Sequence, residues 1–134
     1  MTCPSCWSTS PAALPAAPTP AEAAEQILAG LASRLVSEPV ASLALLRSML
    51  TNPEAASAAS DGIARYEAQI AQAIPADDAD LRAAIISAIT LGITVSRHLI
   101  KSDELGTADP AQVIRLLRPC MLSLAADPDH SGRP

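Results

Sequence analysis

The chain contains no phenylalanine, and Trp7 and Tyr66 are its only aromatic residues. A core built on stacked rings is therefore excluded. The 49% of hydrophobic residues is mostly Ala, Leu, Ile and Val, and Ala and Leu stand at the favourable end of helix propensity, so helix packed on helix is the expected architecture. Basic clusters are missing too. Nine Lys and Arg are scattered singly among fourteen acids, for a formal charge of -5 and a pI near 4.8, which excludes the concentrated cationic surface that nucleic-acid binding requires. The longest uncharged stretch beyond the N-terminal region, residues 83–96, falls short of the roughly 20 apolar residues of a membrane span. No basic start with an apolar block opens the chain, so a secretory signal is not expected and the cytoplasm is the expected compartment. At 134 residues there is room for one domain.

Groupings that carry catalytic or metal chemistry are also scarce. Cys3-Pro4-Ser5-Cys6 has a metal-like spacing, but structural zinc needs about four ligands, and the remaining Cys120, His98 and His130 lie far off in sequence. Three cysteines do not make a disulfide framework. Asp77, Asp78 and Asp80 read as solvated acids of a first helical turn. His98 follows Arg97 near the end of a long helix, where a cation complements the dipole; that structural reading outweighs a proton-shuttling one. No Ser/His/Asp or Cys/His constellation can be assembled. The chain is expected to be neither an enzyme nor a metal or cofactor carrier.

What is present is helical punctuation. Residues 1–19 hold four of the twelve prolines and no charged side chain, and they read as a disordered leader. Thr19-Pro20-Ala21-Glu22 is a capping box with Pro at the first helical position. It opens a helix to about residue 36 with Ala24, Ile27, Leu28, Leu31 and Leu35 on one stripe. A second helix follows Ser37-Glu38-Pro39 with Val40, Leu43, Leu46, Met49 and Leu50. Asn52-Pro53-Glu54 starts a third, running to about residue 73 with Ala56, Ala59, Ile63, Tyr66 and Ile70 inward. The fourth, to Lys101, is the most apolar and is expected to be buried on two sides. Residues 102–108 read as a linker with Gly106 as a stop. Asp109-Pro110-Ala111-Gln112 is a second capping box, opening a last helix that Pro119 should bend. The resulting division is a leader at 1–19, a helical domain at 20–127 and a polar tail at 128–134.

Two features suggest binding. Arg65-Tyr66 places a cation and a phenol together, either lining a pocket or packed as an ordinary core-facing Tyr. Ala88, Gly92 and Ser96 recur every four residues and form a small-residue groove for a second helix. That helix could belong to the same chain. The last two long helices, however, carry more apolar surface than short Ala-rich partners cover, which points to an intersubunit bundle.

The run Leu45-Leu46-Arg47-Ser48-Met49-Leu50-Thr51-Asn52-Pro53-Glu54-Ala55-Ala56, the segment Leu81-Arg82-Ala83-Ala84-Ile85-Ile86 with Leu91-Gly92-Ile93, and Ala108-Asp109-Pro110 with Leu116-Leu117-Arg118-Pro119 resemble the C-terminal domain of tetracycline-repressor-like (TetR family) regulators. The resemblance covers about residues 22 to 126. It implies an all-helical antiparallel bundle of about five helices, a homodimer, and a small apolar effector. On that reading Met49, Ile63, Arg65, Tyr66 and Ile70 line the effector pocket. Ile89, Gly92, Ile93, Ser96, Val113, Leu117, Cys120 and Leu124 form the dimer interface. Family members begin with a helix-turn-helix unit, and here a Pro-rich leader stands in that place, so a truncation or a displaced reading frame is expected. The alternative is a stand-alone helical binding module, one that could heterodimerise with an intact regulator.

Overall fold

The computed structural model describes residues 18–126 and residue 128; the Cys3/Cys6 pair, His130, and most of the leader and tail lie outside the described residues. The described residues form six α-helices and no strand: α1 (Pro20–Val36), α2 (Val40–Ser48), α3 (Pro53–Gln72), α4 (Ala79–Val95), α5 (Asp103–Thr107) and α6 (Pro110–Ala125). A π-helical turn, Ser96–Ile100, continues α4.

Local chemistry sets the helix starts. Thr19 Oγ1 accepts from the Glu22 amide at 3.2 Å and Glu22 Oε2 accepts from the Thr19 amide at 3.3 Å, completing the box before α1. Asn52 Oδ1 accepts from the Glu54 amide at 2.9 Å before α3. Before α6 only the Asp109 half of the expected box forms, accepting from the Ala111 amide at 3.2 Å. Asp78 takes no capping bond. Its carboxylate instead receives Arg82 Nε at 2.8 Å, while Arg82 Nη1 donates to the Ser123 and Leu124 carbonyls at 3.4 and 3.1 Å. One side chain thus ties the start of α4 to the end of α6.

The connection after α4 departs from the sequence reading. Lys101 ends the long helix where the sequence places its end, adopting the left-handed conformation at φ 57°, but residues 103–107 of the expected linker wind into α5. The cause is non-local. Arg97 donates from Nη1 to the Leu105 and Ala108 carbonyls, both at 2.8 Å, and so folds the connection back on the helix that precedes it.

α1 packs chiefly against α6, α4 against α3, and α2 against α3. Leu28, Leu31 and Leu35 of α1 meet Met121 and Ala125 of α6, Ile86 of α4 and Ile70 of α3 in the core. An exposed ion pair crosses the α1–α6 contact, Arg118 to Glu25 at 2.8 and 3.2 Å. α6 continues through Pro119 to Ala125, with Pro119 on its exposed side.

The expectation for α4 also needs correcting. The helical stretch Ala79–Ile100 spans 22 residues with a hydropathy of 1.6, long and apolar enough by composition to cross a membrane, because its uncharged run is extended at both ends by residues around isolated charges. Among the described residues it is buried on one side. Ala83, Ile86, Ser87, Thr90 and Thr94 are its buried residues, whereas Leu81, Ile85, Ala88 and Gly92 are exposed.

Candidate functional site

α2, α3 and α4 surround a cleft of about 250 Å³ that extends to Arg34 of α1. α3 supplies Ala58, Ala59, Gly62, Ile63 and Tyr66, positions that share a face through the helical period. The small members of that stripe create the room: a Cβ on Gly62 would meet nothing within 4 Å. α2 adds Ser42, Leu45 and Leu46, and α4 adds Ser87, Thr90 and Leu91. The walls are largely aliphatic, as in small-molecule sites, and no acidic side chain lines them.

The polar groups in the cleft are few. Thr90 is buried and its hydroxyl donates to the Ser87 carbonyl at 3.0 Å, a back-bond within the helix. The Tyr66 hydroxyl is buried and has no hydrogen-bond partner, the one such side-chain atom among the described residues. A buried, unsatisfied polar group costs about 1–3 kcal/mol. Over the Tyr66 ring lies the Arg34 guanidinium, 5.8 Å from the centroid, at the outer edge of cation–π attraction. Arg34 has no carboxylate within salt-bridge distance among the described residues. Its backbone carbonyl is held by His98, whose Nε2 lies 2.6 Å away; a carbonyl can only accept, so this nitrogen donates. His98 therefore anchors the end of α1 and does not line the cleft. Arg34 and Tyr66 also border a second cleft of about 300 Å³ between α1 and α3, with Ile27, Gln69 and Ile70, so the pair stands between the two openings.

Of the pocket residues expected from sequence, Ile63 and Tyr66 line the cleft between α2, α3 and α4, Met49 is half-buried outside it, and Ile70 sits in the core beside the second. Arg65 is exposed and lines neither, since one residue along a helix turns the side chain by about 100°. Arg34 provides the cation instead. Nothing in the sequence pairs it with Tyr66, because the contact crosses from α1 to α3. Ser87 and Thr90 did leave a signal: hydroxyls on the inward face of an otherwise aliphatic helix.

The expected interface residues divide in a similar way. Gly92 and Cys120 are exposed; Ile89, Ile93, Leu117 and Leu124 are half-buried against the core, Ser96 is half-buried, and Val113 is buried within it. Leu81, Ile85 and Ala88 extend the exposed stripe of α4, and Leu116, 71% exposed, and Cys120 lie on the outer side of α6. A Cβ on Gly92 would meet nothing within 4 Å, so none of the described residues fills the groove at that point.

The family model described as tetracyclin repressor-like, C-terminal domain, matches residues 19–124. No curated protein and no solved structure matches the chain. Domains of this family are helical and regulatory, not enzymatic; they typically form homodimers and bind small-molecule effectors, in regulators that are soluble and cytoplasmic. The match runs from the Thr19 cap into the last turn of α6 and takes in both the cleft and the exposed stripe of α4. The chain belongs to the tetracyclin repressor-like family, of which it carries the C-terminal domain.

Proposed function

We propose that this protein is an effector-sensing, dimerising domain that binds a small apolar molecule between α2, α3 and α4 and pairs with a second copy through α4 and α6. The observation that carries the reading is the cleft: aliphatic walls, room at Gly62, and a buried Tyr66 hydroxyl left without a partner. A binding site keeps such a group for its ligand. The dimer reading is supported by the outer side of α4, which exposes Leu81 and Ile85 while Ala83, Ile86, Ser87, Thr90 and Thr94 face inward. An exposed apolar stripe of this kind is covered in a symmetric assembly. The described helices sense and dimerise and do not read DNA, in keeping with a chain charge of -5 and basic residues spread singly.

Melting the protein with and without the neutral probe 1-octanol tests the site. Saturation at a hundredfold excess over Kd adds about 2.7 kcal/mol of stability. The Gly62→Leu variant, whose Cβ meets nothing within 4 Å and whose side chain occupies the cleft, is expected to lose that response. An equal response in both proteins would place the probe elsewhere and overturn the assignment.

A further inference from the structure

Resting on that reading of the cleft, we propose that its natural occupant is a small apolar carboxylic acid, whose carboxylate accepts hydrogen bonds from both the Tyr66 phenol and the Arg34 guanidinium. Tyr66 is a wall residue of the cleft and its oxygen is buried and unpartnered, so a ligand group that reaches it supplies the missing hydrogen bond. Arg34, half-buried at the same wall, is a donor with a fixed positive charge, and no carboxylate among the described residues neutralises it. An oxygen that meets both groups must accept from the guanidinium. An alcohol could satisfy the phenol but would leave the cation without a counter-charge. A carboxylate satisfies both, and its hydrogen bonds are strengthened by charge on each side.

The remaining walls set the rest of the molecule. Leu45, Leu46, Ile63 and Leu91 offer only hydrocarbon, Thr90 has already given its proton to Ser87, and the Ser42 and Ser87 hydroxyls carry no charge. A second ionised group on the ligand would find no cation among these side chains, which disfavours dianions. The cleft, about 250 Å³, falls below the roughly 300–1,000 Å³ of sites for drug-sized ligands, so the apolar body is compact. Because the Arg34–Tyr66 pair stands between this cleft and the one beside α1, the carboxylate lies at that partition and the hydrocarbon points toward Gly62.

Calorimetric titration of the full chain with octanoate and with 1-octanol at neutral pH tests the proposal, in the native protein and in Arg34→Met, Tyr66→Phe and Gly62→Leu. Arg34→Met keeps most of the apolar stem, and Tyr66→Phe removes only an unpaired hydroxyl, so both should fold, as a cooperative melt will verify. The expected result is tighter binding of octanoate than of 1-octanol, a loss of at least about tenfold for octanoate in each of the two variants, and little change for 1-octanol. Binding of 1-octanol that equals or exceeds that of octanoate, is insensitive to Arg34→Met and is abolished by Gly62→Leu would overturn the carboxylate while leaving the effector site standing. Octanoate binding that survives Gly62→Leu would overturn the proposal too, as would a failure of octanoate to bind the native protein. A failure of both probes would count in addition against the effector site itself.

Discussion

The two faces of α4 do not divide into apolar inside and polar outside. Its inward face adds to the core residues Ala83 and Ile86 the hydroxyls of Ser87, Thr90 and Thr94, buried and back-bonded at 3.0 and 2.8 Å where a bond is formed. Its outward face carries Leu81, Ile85, Ala88 and Gly92, all exposed among the described residues. The inward hydroxyls of Ser87 and Thr90 border the cleft, and the apolar outward face fits the proposed pairing with another copy. A helix serving only its own chain's core would carry polar residues on that outward face. Mean hydropathy alone therefore misleads here: the same residues that make Ala79–Ile100 look like a membrane span fit a protein interface.

Substitution on the outward face should give the largest effect. Leu116 is 71% exposed, and a surface change of this kind in an isolated subunit costs within about 0.5 kcal/mol. In the dimer Leu116→Glu buries a charge twice and should weaken association by at least about 3 kcal/mol. Gly92→Leu is the milder version, at about 1–3 kcal/mol per copy, and with open space around its Cβ it leaves the subunit's own packing intact. Leu117 is a poorer probe because it packs against the core. Sedimentation of each variant at micromolar concentration checks this; dimers that persist in both would break the assignment of the outward face.

The inward face should respond in the opposite sense. Tyr66→Phe removes a buried hydroxyl without a partner, so the empty protein should gain up to about 1–2 kcal/mol, measured by urea unfolding. A loss of stability would mean that the hydroxyl is satisfied within the fold. Gly62→Leu should gain about 1 kcal/mol from helix propensity, with more from the apolar area it covers, because the cleft has room for it. Destabilisation there would show that the cleft is closed in solution.

The smallest effect belongs to the α1–α6 contact, which has no such duality. Arg118's hydrogen bond, opposed by desolvation and aided by its charge, holds the Glu25 carboxyl below the usual carboxylate range. A carboxylate with a lowered folded-state pKa stabilises the protein above its unfolded pKa, and that contribution fades as pH falls through the folded value. Glu25→Gln should therefore melt slightly below the native protein at neutral pH and match it in strong acid. Both groups are exposed, so salt should shrink the difference. A difference that grows in acid would contradict the pairing.

Much of the fold was legible because helix starts are written locally. Thr19, Asn52 and Asp109 each precede a proline, and each side chain accepts an amide one turn in. Ile63 and Tyr66 were legible as members of an inward stripe. The winding of residues 103–107 into α5 was not, because that connection is held by Arg97, which captures two carbonyls eight and eleven residues on. Arg34 was hidden for the same reason: its place over Tyr66 depends on how α1 meets α3, while Arg65, next in sequence to Tyr66, is carried to the solvent by the helical turn.

Amide and methyl chemical-shift mapping of the full chain with 1-octanol tests most directly whether the two faces of α4 divide the work as argued. The account expects saturable shifts at Ile63, Tyr66, Thr90 and Leu91, none of comparable size at Leu81, Ile85 or Leu116, and no saturable response in Gly62→Leu. Shifts confined to the Leu81–Ile85–Leu116 side, or unchanged by Gly62→Leu, would show that the apolar molecule is held on the outward face and would contradict the account.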